Sequence, residues 1–321
     1  MHQCIFLNTL LAFGLIQSAS AFAPSSRVLS KPTRRTSDIL SSPTSTSLFS
    51  TSTLPRLPSS AIDELSQKGY LILDDFLPSD LVQELRDDID NLRKKDKFNI
   101  AKIGQDSTNT LNTDIRIAET CFIGESKLQD VPSPSRNKLY QVLESLRSDL
   151  SGNEKLDVKD SSGELIKAAP ALDASLSELL YAYYPQGGFY RRHTDAVEGS
   201  ASVLRSYSLL MYLNNQWTEE DGGCLRIHLD SGKDFLPEGE EPNFINVEPK
   251  GGSFVLFKSD MIPHEVLNTN AERYAIVGWY NRPVTSADLS SLASEGDKMR
   301  SVMLLVAAAL VTYGVVSIVA A

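Results

Sequence analysis

Cysteine and histidine are scarce in this chain, whose 321 residues include three cysteines and four histidines. Cys4 lies in an apolar N-terminal run, and Cys121 and Cys224 form no CxxC pair and no zinc-ligand spacing. A cysteine-based zinc module is therefore excluded, and two cysteines do not define a disulfide framework. The chain also lacks internal repeats, a P-loop and a glycine-rich dinucleotide fingerprint. Its chemistry has to come from other side chains.

Acidic residues clearly outnumber basic ones outside the first 60 residues. That segment holds five of the 31 Lys and Arg and one of the 41 Asp and Glu, which leaves residues 61–321 with 26 basic and 40 acidic residues, a net charge of −14. Binding to nucleic-acid phosphates needs a positive surface, so we expect no nucleic acid partner. With 41% hydrophobic and 22% charged residues, the composition also excludes a wholly disordered or coiled-coil chain.

The first 60 residues have the composition of a two-part targeting leader. An apolar run too short to span a bilayer precedes Ala19-Ser20-Ala21, a small-residue cleavage pattern, so residues 1–21 are predicted to be a signal peptide. Residues 22–60 are rich in Ser and Thr and nearly free of acid, which is typical of a transit peptide. The sequence ASAFAP at 19–24 resembles the leader of algae with secondary plastids. We expect plastid delivery, with the endoplasmic reticulum or secretory pathway as the alternative.

The last 21 residues contain no charged side chain, and Lys298 and Arg300 lie just before them. At about 1.5 Å per residue, a helix of this length would match the hydrocarbon thickness of roughly 30 Å. A buried terminal helix and a cleaved lipid-anchor signal are the alternatives. We predict a transmembrane helix over 301–321, which would attach the chain to a membrane through a linker at 284–300.

Helices are predicted in a support region that covers residues 61–172. Residues 69–76 have the pattern of a short strand and turn. Apolar residues then recur at helical spacing after Ser79, a predicted N-cap. A second helix is predicted over 137–150, and the polar residues 149–162 are predicted to form a loop.

From about residue 173 to 283, short β-rich runs alternate with turn sequences. The runs cover residues 177–184, 205–213, 223–229, 243–247, 253–258 and 273–281. Many short strands at this spacing favour a sandwich or jelly roll over βαβ units. The sequence therefore predicts a mainly β (α+β) fold.

Three of the four histidines, His193, His228 and His264, lie in this β-rich region. In extended backbone His193 and Asp195 point to the same side because they are two residues apart, and His264 can supply a third ligand from a later strand. Two histidines and one carboxylate leave open coordination positions, which suits non-heme Fe(II). We expect His228 to face solvent.

Arg273 strengthens this prediction because it begins an apolar β run nine residues after His264. A buried guanidinium needs an anion, and its forked geometry suits a carboxylate in two-point contact. Tyr212, in another β run, could donate to the same carboxylate.

Short motifs then recur in a characteristic order: YP at 184–185, YRRHTD at 190–195, YLN at 212–214, GGCLRI at 222–227, VEPK at 247–250, SDMIPHEV at 259–266 and RYAIVGWY at 273–280. With them, the region resembles the double-stranded β-helix (jelly-roll) core of the Fe(II)/2-oxoglutarate dioxygenases. It is especially similar to prolyl hydroxylases of the egl-nine type. DIR at 114–116 and residues 69–77 also match that family. The resemblance implies that residues 173–283 form the dioxygenase core.

The resemblance implies a role for each matching residue. The three predicted metal ligands would bind iron. Arg273 and Tyr212 would bind the distal carboxylate of 2-oxoglutarate, and Tyr184 would line the cosubstrate pocket. Tyr190 and Trp279 would line the pocket of the substrate proline.

The chain also departs from the family pattern. Arg205 matches a family position near the active-site entrance, and we interpret it as a surface or entrance charge. Ile117-Ala118 replace an acidic residue of the family, which leaves Arg205 without its usual partner. Val277 stands in place of a threonine, and the acidic insert at 230–242 is particular to this chain. These departures bear on the substrate and not on the iron chemistry.

The reaction implied by the resemblance couples oxidative decarboxylation of 2-oxoglutarate by O₂ to hydroxylation of a substrate. Succinate and CO₂ are released, and L-ascorbate keeps the iron reduced. We predict a peptidyl-proline 4-hydroxylase that acts on a proline-containing protein or peptide. The alternatives are a secretory hydroxylase of proline-rich cell-wall proteins, a zinc-dependent hydrolase and a catalytically dead, membrane-tethered binding module.

Overall fold

The described part of the chain comprises residues 54–104, 110–124, 127–176, 178–230, 243–286 and 288 of a computed structural model. The predicted signal peptide, most of the transit-like leader, nearly all of the acidic insert and the predicted transmembrane segment lie outside these residues. Among the helices that the structure describes, none is both long enough and apolar enough to cross a bilayer.

Two antiparallel sheets contain most of the strands. The larger sheet has the spatial order β1 (Tyr70–Leu73), β12 (Phe254–Lys258), β9 (Arg205–Tyr212), β14 (Arg273–Asn281), β7 (Leu179–Tyr184), β4 (Glu119–Phe122) and β2 (Asn99–Ile100). The smaller sheet has the order β11 (Phe244–Val247), β10 (Leu225–His228), β13 (His264–Val266), β8 (Phe189–His193) and β3 (Arg116–Ile117). A separate hairpin pairs β5 (Val158–Lys159) with β6 (Leu165–Lys167). The mainly β prediction is confirmed, and the two sheets are consistent with a jelly roll.

Three α-helices pack on the large sheet: α1 (Ser59–Lys68), α2 (Ser79–Lys94) and α3 (Pro134–Leu150). The sequence interpretation contains no helix at α1. It also places the start of α3 three residues late, because Pro134 opens the helix at a position where its missing N–H costs nothing. The predicted loop at 149–162 includes β5.

The predicted N-cap at Ser79 is wrong. Pro78 is the N-cap, with an extended backbone, and Ser79 is the first helical residue. No side chain accepts a hydrogen bond in the capping position; instead Asp80 Oδ1 accepts the amide of Leu81 at 2.8 Å. Proline suits this position because its fixed φ leads into the first turn.

The central strands are buried on both faces. In β7, Leu179, Tyr181 and Tyr183 belong to the core shared with the helices, and the alternate residues Leu180 and Ala182 belong to the core on the other face, with residues of the small sheet. Two-sided burial explains why β7 is almost continuously apolar instead of alternating. Tyr184 and Tyr212 belong to that second core, so their side chains lie between the sheets.

Candidate active site

The three predicted metal ligands converge between the sheets. His193 ends β8 and His264 begins β13, and the two residues are direct cross-strand partners. Asp195 follows β8 by two residues; its Oδ1 lies 3.6 Å from His193 Nε2 and its Oδ2 lies 3.7 Å from His264 Nε2. One ligand atom from each of the three residues lies within 4.8 Å of the others. This spacing suits a single metal ion held by two imidazoles and a carboxylate.

Both imidazoles are oriented by the backbone. His193 Nδ1 lies 2.8 Å from the carbonyl oxygen of Arg191, and His264 Nδ1 lies 3.0 Å from that of Ile262. Because a carbonyl only accepts, each Nδ1 carries the proton and donates it, which leaves each Nε2 lone pair facing the cluster.

The surroundings favour neutral imidazole beside an ionised carboxylate. Burial, reinforced by His264, lowers the pKa of His193 well below its usual value. Burial opposes the charge of Asp195, but His264, His193, the Arg205 cation and a hydrogen bond with Ser208 together outweigh it and lower the pKa of the carboxyl. These are the protonation states that metal ligation requires.

Arg273 lies beside Tyr184 and Tyr212 in the core between the sheets and is only 2% exposed. Its Nε donates to the carbonyl of Gly223 at 2.8 Å, but its Nη2 is buried and has no hydrogen-bond partner within the described ranges. The Tyr212 hydroxyl is likewise buried without a partner of good geometry, although the guanidinium lies near it. Burial raises the pKa of Tyr212 far above its usual value, so the hydroxyl keeps its proton and can donate. A cation and a hydroxyl with unused donors fit a carboxylate.

Three aromatic side chains were also predicted for the site. Tyr190 stacks on the His193 ring at a centroid distance of 3.7 Å, and Tyr184 lies 4.9 Å from the Arg273 guanidinium carbon. Trp279 packs against the same core, and its buried Nε1 has no hydrogen-bond partner in the described part of the chain. The structure thus brings all eight predicted residues to one region between the sheets, while their individual roles stay predictions.

His228 is not the solvent-facing residue that the sequence predicts. It is 8% exposed, and its Nε2 lies 3.2 Å from Glu265 Oε1. Ile227 pairs with His264 across β10 and β13, so alternation turns His228 to the opposite face of the sheet. It therefore contacts Glu265 on that face and lies outside the metal cluster.

Of the two interpretations of Arg205, the surface charge is wrong, because only 12% of its side chain is exposed, and the entrance charge stays a prediction. Its partner is Glu178, just before β7, in place of the missing family acid near Ala118. Sequence reasoning missed Glu178 because the pairing depends on two adjacent elements and not on a motif. It also missed the position of Arg116, whose guanidinium lies 4.5 Å from the centre of the Tyr190 ring.

The donor set therefore fits the groups that the sequence predicts. Two neutral imidazoles with one carboxylate suit Fe(II), which tolerates open positions for further ligands. The unused donors of Arg273 and Tyr212 suit the far carboxylate of a dicarboxylic cosubstrate. Fe(II) and 2-oxoglutarate match both halves of the site.

Comparison with known proteins agrees with this chemistry. Residues 179–281 match the 2OG-Fe(II) oxygenase superfamily, a stretch that contains all eight predicted site residues. Egl nine homolog 1 of Mus musculus is 28% identical over 218 residues, which are 67% of this chain and 47% of that protein. The chain thus spans about half the length of this relative.

Two solved structures are similar. A prolyl-4-hydroxylase from Pseudomonas putida has a TM-score of 0.51 at 27% identity, over 70% of this chain and 97% of that one. A prolyl hydroxylase from Trichoplax adhaerens, solved with a peptide fragment of the hypoxia inducible factor oxygen degradation domain, has a TM-score of 0.53 at 24% identity. The match covers 73% of this chain and 91% of that one, and it shows the fold alone. The chain carries a 2OG-Fe(II) oxygenase domain over residues 179–281 and is homologous to the egl-nine prolyl hydroxylases.

Proposed function

We propose that this protein is an Fe(II)- and 2-oxoglutarate-dependent dioxygenase that hydroxylates a proline of a protein substrate. The observation that carries the proposal is the combination of two half-sites. His193, Asp195 and His264 converge within 4.8 Å, and Arg273, buried in the same core between the sheets, has an unused donor. A zinc hydrolase would use the first half-site and would have no need of the second.

The proposal gives each of the predicted iron and cosubstrate ligands a defined role. His193, Asp195 and His264 hold Fe(II), which supplies O₂ activation and oxidative decarboxylation when it is bound. Arg273 and Tyr212 would bind the far carboxylate of 2-oxoglutarate with their unused donors and so hold the cosubstrate in place. The core between the sheets keeps water away from the reacting groups.

The substrate proposal rests on homology together with the aromatic lining. The relatives are named as prolyl hydroxylases, and one was solved with a peptide bound. Tyr190 and Trp279 are partly buried aromatic residues against the core between the sheets, and aromatic side chains supply the apolar surface that a proline ring needs. We assign 4-hydroxylation of a peptidyl proline, with succinate and CO₂ as co-products and ascorbate as the reductant that maintains Fe(II).

The first test is an anaerobic visible spectrum of the full-length chain, titrated with Fe(II) and then with 2-oxoglutarate. We expect a metal-to-cosubstrate charge-transfer band in the wild type and none in His264→Ala. His228→Gln is the matched control and keeps the band, since His228 lies on the other face of β10. Folded wild-type protein that binds zinc but gives no band with Fe(II) would overturn the proposal.

A second variant separates the two half-sites. Arg273→Lys removes the forked, two-point donor of the guanidinium. We therefore expect the Kd for 2-oxoglutarate to rise roughly 10- to 100-fold, which corresponds to about 1.5–3 kcal/mol for hydrogen bonds to a charged group. The Kd for Fe(II) alone stays unchanged, because Arg273 is not a metal ligand. Arg226→Lys, on the outer side of the small sheet beside Glu265, is the control and changes neither constant.

The substrate class is tested with proline-containing peptides. We expect incorporation of one oxygen atom from ¹⁸O₂ into a proline residue, with one succinate released for each hydroxylation. Oxidation confined to a free small molecule, with every proline left unmodified, would contradict the assignment.

We also propose that the protein works in a plastid and is attached to a membrane. The support is the leader composition of residues 1–60 and the apolar run at 301–321. A fluorescent fusion of residues 1–60 in an alga with secondary plastids is expected to label the plastid. Labelling of the secretory pathway alone would favour the alternative, in which proline-rich cell-wall proteins are the substrates.

Deletion of residues 301–321 is expected to release the rest of the protein from membranes.

A further inference from the structure

Arg205, the first residue of β9, contacts three groups at once. Its Nε and Nη2 donate to the two carboxylate oxygens of Glu178 at 2.9 and 3.1 Å. Its Nη1 donates to the main-chain carbonyl of Asp195 at 3.1 Å. Its guanidinium carbon lies 3.8 Å from the centre of the Trp279 ring. One side chain therefore links an acidic residue, the backbone of a predicted metal ligand and an aromatic residue of the site.

A break in strand register makes this arrangement possible. Between β14 and β9, Tyr280 pairs with Tyr207 but Asn281 pairs with Arg205, so Ser206 has no partner in the register. Strict alternation would turn Arg205 to the face of Tyr207, towards the helices. The extra residue shifts it to the face of Trp279, as β-bulges next to active sites commonly do.

The three contacts together restrain the guanidinium. A two-point contact with a carboxylate fixes the plane of the fork, and the indole covers one face of that plane. The Arg205 Nη1–H is then held in position to donate to the Asp195 carbonyl. Glu178 is itself 31% exposed at the side chain and touches no predicted metal ligand, so it acts through Arg205.

We propose that Glu178 and Arg205 form a positioning pair that fixes the main chain of Asp195 and the indole of Trp279. The effect on the metal rests on the proposed function, whereas the effect on the indole does not. Glu178 lies immediately before the superfamily match and outside the motifs that define it. The pair would hold the site in place before substrate arrives.

Tryptophan fluorescence of the metal-free protein tests the indole directly. The chain has only two tryptophans, so Trp217→Phe makes Trp279 the single reporter. In this background, Glu178→Gln keeps the shape of the side chain but loses its charge and one acceptor oxygen. We expect a shifted emission maximum and stronger quenching by acrylamide, as the stacked cation loosens. Glu84→Gln is the matched control, since Glu84 also makes a two-point contact, with Lys138, but joins α2 to α3.

Iron binding provides the second readout. Partners that orient metal ligands typically contribute 10- to 100-fold in metal affinity. We expect Glu178→Gln to raise the Kd for Fe(II) by up to about tenfold. Glu84→Gln leaves the Kd unchanged. If Glu178→Gln alters neither the fluorescence of Trp279 nor the Fe(II) affinity, the proposal is overturned.

A charge swap separates positioning from simple stabilisation. Glu178→Arg combined with Arg205→Glu restores an ion pair but removes the cation from Trp279 and the donor from the Asp195 carbonyl. We expect the melting temperature to recover while the fluorescence and the Fe(II) affinity stay altered. If the melting temperature, the fluorescence and the Fe(II) affinity all recover, the pair is only a structural salt bridge. A wild type without the charge-transfer band would instead count against the proposed function, and the fluorescence of the metal-free protein would still test the pair.

Discussion

Arg273 packs tightly against residue 223, where a side chain would crowd it. Gly223 has a φ of +70°, and a Cβ there would lie 3.0 Å from Arg273 Cδ and 3.0 Å from Thr269 Cβ. The Gly223 carbonyl also accepts the Arg273 Nε–H. The same glycine therefore gives space to the guanidinium and accepts its hydrogen bond, which couples the turn before β10 to the proposed cosubstrate site.

We predict that Gly223→Ala weakens 2-oxoglutarate binding by displacing Arg273. The Kd should rise at least tenfold, which corresponds to about 1.4 kcal/mol. Gly187→Ala is the matched control: Gly187 has a φ of +81°, but a Cβ there meets nothing within 4 Å. In that variant only the unfavourable backbone conformation of alanine lowers the stability of the fold, by about 1–2 kcal/mol. Titration of the charge-transfer band and thermal unfolding of both variants measure the two effects, and equal 2-oxoglutarate affinities would contradict the prediction.

At the scale of the elements, a buried ion pair joins two helices to the large sheet. Asp88 of α2 accepts from Arg136 Nε of α3 at 2.9 Å and from the Tyr181 hydroxyl of β7 at 3.0 Å. Each partner of the ion pair is only 4% exposed at its side chain. Arg136 also donates to the carbonyl of Val131. Every charge in this cluster is thus paired, as a buried charge requires.

We predict that Asp88→Asn destabilises the fold by about 3–5 kcal/mol, because it leaves the Arg136 cation buried without a counter-ion. Denaturant unfolding followed by circular dichroism measures the change in free energy. Asp130→Asn is the control: it breaks an ion pair with Lys97 in which the Asp130 side chain is 64% exposed, and it should leave the midpoint nearly unchanged. Similar midpoints for the two variants would show that the buried pair contributes no more to the stability of the fold than the exposed one.

At the scale of the whole molecule, the site joins the two sheets. The predicted metal ligands come from β8, from the segment after it and from β13 of the small sheet, whereas Arg273 and Tyr212 come from β14 and β9 of the large sheet. Bound groups would therefore connect both sheets. The unfolded chain does not assemble this site, because His264 and Arg273 are far in sequence from His193 and Asp195.

We predict that Fe(II) stabilises the folded chain. For a ligand that binds only the native state, a free concentration of 100 times Kd adds about 2.7 kcal/mol to the free energy of unfolding. Anaerobic thermal unfolding with and without Fe(II) should show this as a higher melting temperature in the wild type and in His228→Gln. Asp195→Asn should lose most of the shift. A shift that persists in Asp195→Asn would place the metal elsewhere.

Much of the fold was predictable because it depends on local patterns. The six β-rich runs match β7, β9, β10, β11, β12 and β14 to within a few residues, since each is an apolar segment between turn residues. The two strands that carry the imidazoles, β8 and β13, were not among them. They are short and contain His and Arg in place of an apolar run, so their pairing, and not their composition, makes them strands.

From residue types and spacing alone, the chain's chemistry was already limited to two histidines, a carboxylate and a distant arginine, and the superfamily resemblance drawn from its motifs is confirmed. The spacing of His193 and Asp195 predicted that their side chains lie close together, and they do, although β8 ends at His193 and Asp195 lies two residues beyond it. The burial of His228 and the pairing of Arg205 with Glu178 were decided only in the tertiary structure, because they depend on which strands become neighbours and where a register shift falls. A side chain's partner across a sheet is set by pairing between distant segments, and sequence spacing carries no direct record of that pairing.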